Sequence, residues 1–169
     1  MKKLLIVPAL CVLLWGCGSD ETSVASDTTA DASEDFEVKR VGEKLYGYID
    51  VPEDWDLYED EALAGEAAIQ YTDPDGYSVI TMQYYDDTDA LTSTMNLGTL
   101  LEDSVEELSS AVVELGGYKA YQLAGYATEN ERIMACWLFD GDDGYTHVVS
   151  IESNDEQILA LCDTYALDE

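Results

Sequence analysis

The stretch Ile69–Tyr85, "IQYTDPDGYSVITMQYY", decides how the rest of the chain is read. Two runs of β-branched and aromatic residues, 67–72 and 77–85, flank Asp73-Pro74-Asp75-Gly76. Proline fixes φ near the value that an early turn position needs, and glycine accepts the positive φ that closes the turn. The stretch is therefore expected to form a β-hairpin, and strands are expected on both sides of it.

Toward the N-terminus, Phe36–Val41 and Lys44–Ile49 alternate in polarity and read as a first hairpin turning at Gly42-Glu43. Val51-Pro52-Glu53-Asp54-Trp55 leaves it through a turn, with Trp55 as a core anchor. Toward the C-terminus, Asn96 can cap a helix running to about Ser109. Leu97, Leu100, Leu101, Val105 and Leu108 would share its inner face, and Glu102, Asp103, Glu106 and Glu107 its outer one. Strands follow at Val112–Leu115, Tyr118–Ala127, Arg132–Phe139 and Tyr145–Ser153. Gly116-Gly117, Thr128-Glu129-Asn130 and Asp140-Gly141-Asp142-Asp143-Gly144 connect them tightly. A last helix, Asp155–Tyr165, capped by Asn154, carries Ile158, Leu161, Cys162 and Tyr165 on its inner stripe. The order of strands, helix, strands and helix implies an α+β domain: an antiparallel β-sheet flanked by helices.

This series resembles the Mog1/PsbP-like superfamily. The residues that carry the likeness are "YGYIDVPEDW" (46–55), the 69–85 hairpin, the mid-chain helix, "LGGYKAYQLAGYA" (115–127), "YTHVVSIES" (145–153) and "CDTY" (162–165). It spans residues 36–168 and rests on the ordered series, not on one motif. It implies an α/β/α sandwich around an antiparallel sheet and points toward binding or accessory work instead of catalysis. Many bacterial members are small lipoproteins.

The N-terminal segment has its own logic. Lys2 and Lys3 precede an uncharged apolar run, Leu4–Trp15, shorter than the roughly 20 residues a membrane-spanning helix needs. It suits a secretory signal peptide over 1–16. Leu14-Trp15-Gly16-Cys17 resembles a bacterial lipobox, in which peptidase cuts between Gly16 and Cys17 and the Cys17 thiol carries the lipid. Two or three acyl chains anchor stably where one does not. Residues 17–35 then read as the lipidated cysteine followed by a disordered acidic Ser/Thr-rich tether, and 36–169 as the folded domain. Trp15 departs from the small or β-branched residue usual at its place, and Gly18 lacks the aspartate signal for retention at an inner membrane. The expected location is extracytoplasmic, at a bacterial membrane, through lipid on Cys17.

Charge excludes one class of partner. The 169 residues carry 37 acids against seven Lys and Arg, a net charge of -30. Removing Lys2 and Lys3 with the signal leaves five bases. Such a surface repels phosphate backbones, so nucleic acid is not an expected partner. Cations or a basic protein surface would be attracted.

No catalytic constellation stands out. His147, the one histidine, shares a strand face with Tyr145, Val149 and Ile151 and reads as structural. No Gly-x-Ser-x-Gly elbow supplies a nucleophile, and two distant cysteines with one histidine do not make a zinc pattern. Cys136 and Cys162 are expected as free thiols, with a disulfide left open. Asp140, Asp142 and Asp143 invite a calcium reading, but EF-hand positions 5 and 12 would fall on Gly144 and Ile151. The same residues serve a hairpin turn, with weak cation binding as the remaining option. Trp55, Tyr58, Tyr84, Tyr85, Tyr118 and Tyr121 could form a platform for a sugar or peptide, or half-buried core. The expected function is thus a non-enzymatic accessory or protein-binding lipoprotein without a cofactor. The alternative is a ligand module for calcium or a glycan.

Overall fold

The computed structural model describes residues 36–58 and 68–169. The expected signal peptide, Gly16, Cys17, the expected tether and residue 67 lie outside the described residues.

Strands β1 (Val38–Glu43) and β2 (Gly47–Pro52) form a separate antiparallel hairpin. Glu43 pairs with Gly47, so the turn is Lys44–Tyr46 and not the Gly42-Glu43 expected from sequence. Gly42 instead continues the strand at a φ of 135°. The second sheet has seven strands: β3 (Asp56–Leu57), β4 (Ala68–Thr72), β5 (Val79–Tyr85), β6 (Val105–Leu115), β7 (Tyr118–Ala127), β8 (Arg132–Asp140) and β9 (Thr146–Ser153). Their spatial order is β3-β4-β5-β9-β8-β7-β6, every neighbour antiparallel. The opening stretch supplies β4 and β5 as expected. In its turn the Asp73 carboxylate accepts hydrogen bonds from the N–H groups of Tyr77 (2.6 Å) and Ser78 (2.9 Å), and Gly76 takes a φ of 70°.

Alternation along the strands builds a different core on each face. One face presents Ile80, Met82, Ala135, Trp137, Phe139, Val149 and Ile151 to the β1–β2 hairpin and the C-terminal segment, with Trp55 buried among them. Each large side chain buried here contributes about 1.5–3 kcal/mol. The C-terminal segment is a short helix α2 (Glu156–Ala160) running into a 3-10 turn (Leu161–Thr164). It locks onto the hairpin through Tyr48 and Ala166, which exchange backbone hydrogen bonds of 2.7 and 2.9 Å, and through Thr164 Oγ1, which accepts from Asp50 N at 2.9 Å. The helix cap is Asp155 and not Asn154, whose side chain instead joins Glu131 O and Ile133 N.

The mid-chain helix departs most from the sequence reading. Helix α1 spans Ala90–Leu101, not 96–109, and packs on the opposite face over Cys136, Leu138 and Val148. Its cap is Asp89, whose carboxylate accepts from Thr92 N (2.9 Å) and Thr92 Oγ1 (2.8 Å). Residues 105–109 belong to β6, whose register shifts between Glu106 and Ser109. That bulge adds one residue to β6 and places Glu107 at a φ of 55°. Val105 and Leu108, three apart in sequence, thus show a helical spacing inside an irregular strand.

The bulge closes onto Gly125. A Cβ there would meet Val105 Cγ1 at 2.5 Å and the Glu106 carbonyl oxygen at 2.8 Å. Gly125→Ala is expected to destabilise the domain by about 1–3 kcal/mol in denaturant titrations. Glu107→Gly, which relieves a left-handed φ, is expected to leave stability unchanged or raise it. The reverse ranking would show that the bulge is not built as described.

Candidate functional site

Between α1 and the β5-β9-β8 part of the sheet lies an open cleft of about 570 Å³. Met134, Cys136, Leu138 and Val148 form its apolar floor, and Leu97 and Leu100 its helical wall. Gln83, Asp87, Asn96, Ser150 and Glu152 supply polar groups at its rim, with Tyr85 beside them. Glu152 is engaged by Arg132 at 3.4 Å.

Two carboxylates place the wall. Asp89 caps α1 from its own chain end, and Asp140 Oδ1, at the end of β8, accepts the Ala90 N–H at 2.8 Å. Thr146 Oγ1 lies 2.8 Å from the same oxygen and 2.9 Å from Thr88 O, and donates to one of them at a time. The first turn of α1 is thereby fastened to the β8–β9 hairpin. Between Ala90 and Leu101 the helix carries no charged residue, in a chain with 44 charged side chains of these types if the 37 acids and seven bases are taken together. Its exposed surface therefore shows Leu91 and Met95 toward β6 and Leu100 toward the cleft, Met95 66% and Leu100 77% exposed. The register expected from sequence would have put Glu102, Asp103, Glu106 and Glu107 on the exposed face. The signal that finds the true start is Asp89 three residues before Thr92, followed by a run without charge.

The three aspartates singled out for a cation have separate duties. Asp140 holds α1. Asp143 Oδ1 accepts from Tyr145 N at 3.1 Å, and its two oxygens lie 3.2 and 3.1 Å from His147 Nε2. Asp142 is exposed. Among the described residues no three His, Cys, Asp or Glu side chains gather closely enough to hold a metal. His147 is fully buried, stacked on Phe139 at 5.3 Å on the face away from the cleft, and its Nδ1 has no hydrogen-bond partner among the described residues.

Cys136 and Cys162 are both free. Cys136 lies in the cluster under α1, whereas Cys162 packs against the core on the other face, so the sheet separates them and the disulfide left open from sequence does not form. Burial pushes both thiols up to about 12, and the Asp163 charge adds to this at Cys162. Neither is a ready nucleophile.

The aromatic residues divide rather than converge. Trp55 is core, Tyr118 stacks on Phe139 at 4.9 Å, and Tyr84 packs edge-on against Tyr46 (5.3 Å) and Tyr145 (5.2 Å). Tyr121 lies on the α1 face, Tyr85 at the cleft and Tyr58 beside β3. A single platform of six is not formed. The cleft can thus offer apolar contact and hydrogen bonds, with a thiol held neutral in its floor.

No family model matches the sequence, and neither does any curated protein. Among solved structures, the solution structure of cyanobacterial PsbP (CyanoP) from Synechocystis sp. PCC 6803 is similar at a TM-score of 0.55 and 9% identity, covering 82% of this chain and 96% of that one. The fold is PsbP-like. A protein from Bacteroides thetaiotaomicron VPI-5482 matches at a TM-score of 0.44 and 13% identity over 73% of this chain and 46% of that one. LpqN, involved in cell envelope biogenesis of Mycobacterium tuberculosis, matches at 0.38 and 19% identity over 76% and 84%. The PsbP-like likeness agrees with the α+β architecture expected from the sequence.

Partial burial opposes ionisation of Asp143, but the Tyr145 N–H and His147 outweigh it and hold the carboxyl below its ordinary range. Hydrogen bonds from Thr92 do the same for Asp89. A carboxyl depressed in the folded state stabilises fully above its unfolded pKa, about 3.9, and loses that contribution as pH falls through the folded value. The unfolding midpoint is expected to drop on acidification below about pH 4. Asp143→Asn should cost about 1 kcal/mol at pH 7 and flatten the drop. An unchanged acid profile in that variant would contradict the pairing.

Proposed function

We propose that the chain is an extracytoplasmic lipoprotein, anchored through Cys17, whose PsbP-like domain acts by binding a protein partner and not by catalysis. The observation that carries the binding half is the open cleft walled by an uncharged helix on an otherwise acidic domain. Exposed apolar surface of this kind marks interaction sites. The cleft's thiol is kept protonated, and the one histidine lies across the sheet from it. Anchoring follows from the Leu14–Cys17 lipobox and the acidic spacer behind it.

Cells grown with an alkyne analogue of palmitate are expected to label the wild-type chain and not Cys17→Ser; equal labelling of both would refute the anchor. For the cleft, a photo-crosslinking residue at Asn96 is expected to give a discrete protein adduct. Leu100→Lys, at an exposed position, should abolish that adduct while changing stability by less than about 0.5 kcal/mol. An adduct indifferent to this substitution would place binding elsewhere.

A second reading is favoured by the hydrogen-bonding rim, where Gln83, Asn96 and Ser150 lie near the exposed ring of Tyr85: the cleft takes a glycan. A ligand binding only the folded state at a hundred times its Kd adds about 2.7 kcal/mol. A thermal shift with soluble glycans, lost in Asn96→Ala, would support that reading over a protein partner.

A further inference from the structure

On the other side of α1 the sheet ends in an open edge. Among the described residues, β6 pairs with β7 alone, and the opposite edge of the sheet is the two-residue β3. β6 is eleven residues long, and no strand among the described residues pairs with the backbone N–H and C=O groups on its outer edge. Acids guard its ends: Glu106 and Glu107 at one, Glu114 at the other. Its centre, Ser109-Ser110-Ala111-Val112, has no charge and no proline and is exposed throughout.

Beside that edge runs a second groove, of about 410 Å³, between α1 and β6. Leu91, Thr94, Met95 and Gly98 line it from the helix, and Ser110 and Val112 from the strand. Met95 and Val112, 66% and 61% exposed, are exceeded among the described large apolar side chains by Leu100 alone. α1 rests mainly on β7 and β8 and reaches β6 at its margin. A strand added outside β6 would continue the floor beneath Leu91 and Met95.

We infer that this edge and groove together take an extended segment of a partner protein, added as a strand to β6. Its apolar side chains face α1, and Lys or Arg residues stand near its ends. Main-chain hydrogen bonds supply affinity in such strand addition, and the pockets for alternate side chains supply specificity. The basic ends answer Glu106, Glu107 and Glu114 on a chain of net charge -30. The same acids oppose a second copy. Antiparallel self-pairing centred on Ser110 sets Glu106 against Glu114, and centring between Ser110 and Ala111 sets Glu107 against Glu114. Like charges directly opposite destabilise a strand pair. The inference deepens the binding reading above but uses the other side of α1.

The test is hydrogen exchange on the full chain with a short synthetic peptide alternating valine and threonine between paired lysines. Exchange at the alternate amides of Ser109–Val113 that point away from β7 is expected to slow about tenfold at saturating peptide. The slowing should vanish with proline at the peptide centre, and should fall with glutamates in place of the lysines or with Val112→Lys in the protein. No slowing, slowing confined to Cys136, Leu138 and Ser150, or equal slowing by the glutamate peptide would overturn it. So would protection of those outward-pointing β6 amides before peptide is added, which would mean that the chain itself or a second copy fills the edge; sedimentation separates those two. No adduct at Asn96 in the wild-type chain, or one indifferent to Leu100→Lys, with peptide-dependent slowing at β6 intact refutes the cleft reading alone; a Leu100-dependent adduct without slowing at β6 refutes this inference alone.

Discussion

The Asp140 carboxylate joins the first turn of α1 to the β8–β9 hairpin, and much of the domain's surface character depends on that join. Ala90 N donates to it, and Thr146, buried at the start of β9, lies within hydrogen-bond distance of the same oxygen. With Asp89 capping from the helix's own side, α1 begins at Ala90 and ends at Leu101. Helix N-termini favour negative charge, so each of the two carboxylates at this start stabilises the first turn. Once the start is fixed, residues 105–115 are released to form the edge strand, and the helix surface is set by an uncharged segment.

That placement explains why an acidic protein carries apolar clefts. The chain's 37 acids discourage contact between copies. α1 and the centre of β6 carry none of them, and they are adjacent. The hydrophobic floor beneath α1 is Cys136, Leu138 and Val148, narrower than the core on the other face, where the hairpin, Trp55 and the C-terminal segment cover the sheet. One helix cannot cover seven strands, so a cleft remains on each of its sides.

Much of this was legible in the sequence because local chemistry and tertiary structure agree there. Asp73-Pro74-Asp75-Gly76 makes its turn from its own side chains, and β7, β8 and β9 lie where alternation and tight connections put them. The first hairpin slips by its turn because Gly42 and Gly47 both suit a turn, and only Gly47 has the Tyr165 ring pressed against it. The mid-chain helix misleads for a tertiary reason. Its second cap comes from Asp140, fifty residues away, and the β6 bulge mimics helical spacing. The candidate cleft was hidden for the same cause: a helix shifted to 96–109 would present acids where the molecule presents Leu91, Met95 and Leu100. Cys136 and Cys162 could not be separated by sequence, because the face Cys136 takes depends on strand register and the face the C-terminal segment covers depends on tertiary packing.

Backbone chemical shifts for residues 86–115, in the wild-type chain and in Asp140→Ala, test this account most directly. It predicts helical shifts confined to Ala90–Leu101, extended shifts from Val105 to Leu115 interrupted at Glu107, and faster amide exchange in the first turn of α1 when Asp140 is removed. Helical shifts continuing to Ser109, or a first turn indifferent to the loss of Asp140, would contradict it.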